Sequence, residues 1–249
     1  MVAKGYDTDT ELTAAVVDAS LAAGYVGAGR YLKNLSPLET GICKAKGFKL
    51  WSISEGMGDA ATMAFGYARG YDDGVAAAAL AKRLAQPAGT PIFAAVDYDA
   101  VGSTDIGNVD GYMSGFAAGC VPYTMGVYGD GAVLSSLPAY AAYVAGADGW
   151  AGTEAYLAST NNAALVQHAT IEFAGISIDP CDIYDESVLW IPAGAQPAPA
   201  PPPPTSGPII PMLALTDLQR TLNSLGYDLA VDGIWGSETA AAVASYYGK

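Results

Sequence analysis

Asp97 and Asp99 close the apolar run Pro91-Ile-Phe-Ala-Ala-Val-Asp97-Tyr-Asp99. Side chains alternate along a strand, so residues two apart share a face. On that spacing both carboxylates enter one pocket and Tyr98 points away. Like charges held close push one pKa upward, which sets an acid beside a base. Further acids fall at or just past the ends of other strand-like runs: Asp7, Glu55 and Asp179. For Asp7 a turn or helix N-terminal role ahead of Glu11 is the competing explanation. Arg30-Tyr31 closes another run, where Arg30 can orient a carboxylate or bond a sugar hydroxyl. Tyr98, Tyr128 and Trp150 also stand at strand ends, where flat faces can stack on a sugar ring. Taken singly, each of these is equally well explained by core packing. Gln167, in phase with Leu165, is expected to face inward, leaving His168 outward and structural.

These residues need a scaffold that brings strand ends together. Apolar strand-like runs at 4–7, 25–32, 48–54, 92–97 and 124–128, with weaker ones at 149–151, 165–168 and 176–179, alternate with helical stretches. The helical stretches are 11–23, 37–46, 72–86, 106–118 and 132–143. Such alternation implies a parallel sheet with helices outside it. About eight strands before residue 190 predict an α/β fold, a TIM-like (β/α)8 barrel trimmed in its last helices. In that fold active sites collect at the C-terminal ends of the strands, where the acids recur. An open doubly wound sheet is the alternative, but no Gly-rich phosphate loop follows the first strand.

Composition narrows the chemistry. The formal charge of −14 on 249 residues argues against nucleic acid, whose phosphates need a basic surface. No apolar run approaches the roughly 20 residues of a membrane span, so no membrane insertion is expected. The start, Met1-Val-Ala-Lys-Gly-Tyr-Asp7, has no apolar signal region, which predicts synthesis in the cytoplasm. Cys43, Cys120 and Cys181 lack metal-ligand spacing and read as buried free thiols. One histidine without a matching Ser or Cys motif argues against Ser-His-Asp and Cys-His hydrolases. No metal and no cofactor is expected.

From Ile191 to Pro211 the chain reads IPAGAQPAPAPPPPTSGPIIP. Proline fixes φ and lacks a donor, so this stretch favours extended polyproline II. At about 3.1 Å per residue, residues 197–204 alone span roughly 25 Å. The expected organisation is therefore a barrel over 1–190, a stiff linker over 191–211 and a small all-α module over 212–249. In the module Leu215, Leu218, Leu222 and Leu225 share a helix face, and Asp232-Gly233 makes a turn.

Gly5-Tyr-Asp7, Arg30-Tyr31, Glu55, Ile92-Phe-Ala-Ala-Val-Asp97-Tyr-Asp99, Gly126-Val-Tyr128-Gly129, Gln167 and Gly175-Ile-Ser-Ile-Asp179 occur in a familiar order. Together they resemble the glycoside-hydrolase-like domain of unknown function known as the 1906 family, related to family 25 muramidases. The resemblance implies a TIM-like barrel and cleavage of the sugar backbone of peptidoglycan. Relatives usually end the fourth strand in Asp-x-Glu, with Glu as proton donor. Asp99 stands there in this chain and is shorter by one methylene, so Asp99 or Glu55 would be the donor. Asp97 would stabilise the oxocarbenium charge or orient an acetamido group, with Asp7 and Asp179 tuning the pair. The C-terminal string Asp232-Gly233-Ile-Trp235-Gly236, after Leu225-Gly226-Tyr227, resembles the peptidoglycan-binding domain 1 family.

Taken together, the resemblances imply an endolysin-type N-acetylmuramidase acting on bacterial peptidoglycan after release from the cytoplasm where it is made. The competing readings are a wall-binding protein without catalysis, a hydrolase of another wall linkage, and a phosphate or metal enzyme built on the acids.

Overall fold

A computed structural model of the protein describes residues 2–56, 58–145, 150–159, 163–192, 219–220, 222–223, 226–231 and 242. The chain divides into two compact units, Met1–Ala195 and Gln196–Lys249.

The first unit is a barrel. Its strands are β1 (Ala3–Thr8), β2 (Gly27–Tyr31), β3 (Lys49–Ser54), β4 (Pro91–Ala95), β5 (Thr124–Gly129), β6 (Ala141–Val144), β7 (Ala163–Gln167), β8 (Ile171–Phe173) and β9 (Ile176–Ile183). β1 to β7 run parallel in sequence order. β9 closes the ring by pairing antiparallel with both β7 and β1, and β8 forms a hairpin on β9. The expected barrel is present, but its last strand runs backwards. Eight parallel strands need a crossover before each one, whereas the short turn between β8 and β9 permits only an antiparallel return.

The helices are α1 (Ala14–Ala22), α2 (Pro37–Lys46), α3 (Ala60–Met63), α4 (Gly66–Arg83), α5 (Gly102–Gly119), α6 (Gly131–Ser136) and α7 (Thr153–Ser159). The helix expected over 132–143 is corrected: α6 stops at Ser136, and residues 141–144 form β6. Pro138 accounts for the break, because a proline disfavours helical geometry in the residue before it, here Leu137. The strand expected at 149–151 is also corrected: Trp150 and Ala151 lead into the turn before α7, and Gly149 lies outside the described residues.

Two apolar layers hold the unit together. Tyr6, Ala28, Leu50, Ile92, Val127 and Val144 face outward and pack with helix residues such as Val17, Met113 and Phe116. Trp51, Ile53, Phe93, Tyr143, Leu165 and Ile183 fill the barrel. Such large side chains fit because smaller residues face them. A Cβ on Gly29 would lie 2.4 Å from the Trp51 indole nitrogen, closer than atoms can pack. Outside the barrel α4 and α5 touch backbone to backbone. A Cβ at Gly115 would come 2.0 Å from the Tyr67 carbonyl oxygen. All three cysteines are free and buried. Among the described residues no helix is long and apolar enough to cross a membrane.

In the second unit Leu222, Leu229 and Ala242 form a small apolar cluster with Tyr227 against it. Asn223 ties the following loop, its side-chain amide donating to the Leu229 carbonyl and accepting from the Leu229 N–H, both at 2.8 Å. Of the leucine face, Leu222 is described; Leu215, Leu218 and Leu225 are not, and Asp232, Gly233, Trp235 and Gly236 also lie outside the described residues.

Candidate active site

A cleft of about 450 Å³ opens where the parallel strands end, lined by residues that include Asp7, Tyr31, Lys33, Glu55, Thr170 and Asp179. Asp7 and Asp179 are directly paired across the closing strands β1 and β9. Because β9 runs backwards, Asp179 enters at the same rim where β1 ends.

Asp7 is 2% exposed and sits within a network of neutral partners. The Tyr143 hydroxyl donates to Asp7 Oδ2, and Gln167 Nε2 donates to the same oxygen at 3.0 Å. Gln167 Nε2 also lies 3.4 Å from Asp179 Oδ2, while its Oε1 accepts from the Tyr128 hydroxyl at 3.0 Å. Thr170 donates to Asp179 Oδ1. Gln167 therefore faces inward and joins both acids. His168 faces outward, half exposed, with Nε2 3.2 Å from Asp182 Oδ2. Burial, and next the Asp179 charge, holds Asp7 well above the usual carboxylate range, against the pull of the Gln167 bond. Asp7 thus holds its proton more tightly than an ordinary carboxyl group.

Glu55 also lines the cleft, and Asp97 stands beside it. Gly58 lies between them: a Cβ there would be 3.2 Å from the Asp97 Cβ and 3.4 Å from the Glu55 Cγ. The Asp97 N–H donates to the Gly58 carbonyl at 2.9 Å, which fixes the loop after β3 against the end of β4. Partial burial, then Asp97, raises Glu55, while Lys33 and the Tyr31 hydroxyl oppose the rise. Asp97 is exposed at the rim, yet loss of solvent around it, followed by the Asp179 charge, raises it too. The Tyr31 hydroxyl is raised by burial and then by all four acids, Asp7, Glu55, Asp97 and Asp179. That tyrosine therefore stands in the middle of the group. Burial and the same acids except Glu55 act on Tyr128.

Other predicted site residues lie elsewhere. β4 ends at Ala95, so the two-residue alternation does not extend to Asp99. Asp99 Oδ1 instead accepts from the Ala151 N–H at 2.7 Å, tying the loop after β4 to the turn before α7. Trp150 adjoins that tie and does not line the cleft. Tyr98 packs against the outer apolar layer, its hydroxyl buried without a partner. Arg30 points between barrel and helices, 1% exposed, with Nε 2.5 Å from Glu39 Oε1. Strand alternation puts Arg30 and Tyr31 on opposite faces, so the pair could not both line one cleft.

The residues that sequence reading missed are Tyr143, Thr170 and Lys33. Tyr143 fell in a stretch taken as helical. Thr170 and Lys33 sit just past strands, in positions that carry no period. Among the described residues no three His, Cys, Asp or Glu side chains converge closely enough to hold a metal ion.

The arrangement can do acid–base chemistry on a neutral polar ligand: several carboxyl groups with raised pKa values, an open cleft and an aromatic wall. Solved structures share the fold. The Mycobacterium tuberculosis Tat-secreted protein Rv2525c, in complex with HEPES, matches with a TM-score of 0.61 at 20% identity, covering 74% of this chain and 96% of that one. Its L-tartrate complex matches at 0.59 and 18%, with the same coverage. An uncharacterized B. stearothermophilus protein matches at 0.54 and 19%, covering 76% of this chain and 100% of that one. No curated protein matches the chain. Residues 213–246 match the peptidoglycan binding domain family. A glycoside hydrolase-like barrel joined to such a domain makes this a cell-wall-related, hydrolase-like protein. The match that covers most of the chain, residues 18–183, shows that the protein belongs to the Rv2525c-like, glycoside hydrolase-like domain family.

Proposed function

We propose that the barrel is an N-acetylmuramidase that cleaves the glycan backbone of peptidoglycan, held at the wall by its C-terminal domain. The observation that carries this reading is the pair Glu55 and Asp97 on either side of Gly58, both with raised pKa values, with Glu55 lining the cleft that the Asp7–Asp179 pair also lines. Glu55, whose raised pKa favours its acid form, gives its proton to the leaving glycosidic oxygen as the C1–O bond breaks. Asp97, ionised, stabilises the positive charge that develops at C1 and the ring oxygen. Water then adds to C1 and returns a proton to Glu55. Asp7 and Asp179, paired across β1 and β9, line the same cleft and position the sugar. The engagement of Asp99 with Ala151 supports Glu55 as the donor in place of Asp99. An endolysin-type role goes with this reading, in which a chain made in the cytoplasm acts on the wall after release.

The test is release of reducing ends from purified sacculi. Wild type should release them, with muramic acid at the new reducing end by mass spectrometry. Glu55→Gln and Asp97→Asn should each lower the rate by about 10²–10⁴-fold. Asp99→Asn should stay within about 0.5 kcal/mol of wild type in both barrier and stability. Freed peptide without new reducing ends would instead identify an amidase. A second reading, a wall binder without turnover, is favoured by the diversion of Asp99 from the cleft. It stands if wild type pellets with sacculi and releases nothing.

A further inference from the structure

The cleft is acidic, and among the described residues Lys33 is its only basic lining side chain. Lys33 stands just past β2, two residues after Tyr31. Its ammonium lies 5.7 Å from the centre of the Tyr31 ring and 3.3 Å from the Glu55 carbonyl oxygen. It forms no ion pair among the described residues, although Asp7, Asp9, Glu55 and Asp179 line the same cleft. The other cations nearby are committed. Arg30 is buried on Glu39, and Arg69 pairs with Asp73 at 2.8 Å. Lys33 is thus held by a ring face and a neutral carbonyl; its charge acts on Glu55 at a distance and is open to a ligand.

The acids in the lining disfavour an anionic group elsewhere in this cleft, so such a ligand enters best with that group turned toward Lys33. We propose that Lys33 is a specificity-determining residue that receives a carboxylate carried by the glycan substrate, and so separates muramyl glycans from neutral chitin-like ones. This rests on the glycosidase reading above for the identity of the glycan. Two parts of a wall glycan offer the same chemistry: a carboxylate of the stem peptide, or the lactyl carboxylate freed when that peptide is removed.

The experiment compares full-length wild type, Lys33→Met and Lys33→Arg on three soluble ligands: a disaccharide-peptide muropeptide, a peptide-free muramyl tetrasaccharide and neutral chitotetraose. Affinity is read by titration calorimetry, and KM against kcat wherever turnover occurs. The C-terminal domain is the same in all three proteins, so its binding is fitted as a separate site with shared constants. Lys33→Met should weaken binding of one or both carboxylate-bearing ligands by about tenfold, leave chitotetraose unchanged, and be rescued by Lys33→Arg. A loss on the muropeptide alone assigns the contact to the stem peptide, a loss on the peptide-free tetrasaccharide alone assigns it to the lactyl carboxylate, which the muropeptide holds as a neutral amide, and losses on both mean that Lys33 receives either group. Unchanged affinity of Lys33→Met for both carboxylate-bearing ligands overturns the proposal. So does an equal loss for chitotetraose, which would mean that Lys33 only supports Glu55. If wild type turns over no ligand, the glycosidase reading fails, and the binding ratios still decide the role of Lys33.

Discussion

The barrel buries Asp7 inside the ring, Glu39 between ring and helices and Asp130 at the N-cap of α6, and it treats the first two in opposite ways. Glu39 Oε1 receives the Arg30 guanidinium at 2.5 Å and the Leu12 N–H at 3.2 Å. Asp7 receives a tyrosine hydroxyl and an amide, and its nearest charged neighbour is another acid, Asp179. A cation offsets the desolvation of a buried carboxylate and makes it structural. Neutral donors and a like charge leave the desolvation uncompensated, so the pKa rises. Depth alone therefore does not mark a functional acid; the sign and number of its partners do.

Removing the cation tests the first half of that contrast most severely. Arg30→Met leaves Glu39 buried and uncompensated and should cost about 3–5 kcal/mol in urea unfolding, with turnover per folded molecule unchanged. A loss below about 1 kcal/mol would mean that the pair is not structural.

The second half is tested with Asp7→Asn, which should lower turnover on sacculi by about 10²-fold. Its stability should change in an informative way with pH. The folded pKa of Asp7 is raised, so the folded state binds the proton more tightly than the unfolded chain. The associated stability is fully present below the ordinary carboxylate range and is lost as pH climbs through the raised value. Wild type should lose stability across that window with a slope of up to about 1.4 kcal/mol per pH unit, and Asp7→Asn should remove that contribution. Identical pH profiles for the two proteins would show that Asp7 is ionised in the fold.

The smallest effect belongs to Tyr143→Phe. It deletes one donor to Asp7 while keeping the ring that packs on Tyr128 at 4.9 Å. It should cost about 1 kcal/mol in stability and shift the pH profile of stability rather than abolish turnover. A loss of turnover equal to that of Asp7→Asn would make Tyr143 part of the chemistry.

Much of the ring was readable in the chain, because β1 to β5 are apolar runs bounded by polar turns. β6 was not, since Ala141-Ala-Tyr-Val144 has the composition of either element and tertiary packing decides it. The direction of β9 was also hidden, because a period of two is the same in both senses. For the site, alternation separated Gln167 from His168, with Gln167 inward. The same rule, applied beyond Ala95, misplaced Asp99, since it holds only while the chain remains a strand. At Arg30 the rule would have been sufficient, but the adjacent Tyr31 drew both residues into one rim. Ser36 caps α2, its hydroxyl accepting from the Glu39 N–H at 3.1 Å. The Glu39 carboxylate, however, is taken by Arg30, which no local pattern could announce.

The pairing of Asp7 with Asp179 has a consequence for the birth of the protein. The two sit on the first and last strands of the ring, so a growing chain carries Asp7 through almost the whole synthesis of the barrel before its partner emerges. Until then β1 and β7 are open edges, and the Asp7 carboxyl group has no burial to shift it. Contacts this distant in sequence are slow to form. The cleft and its proton therefore arrive together, at ring closure, and a chain halted before β9 has neither.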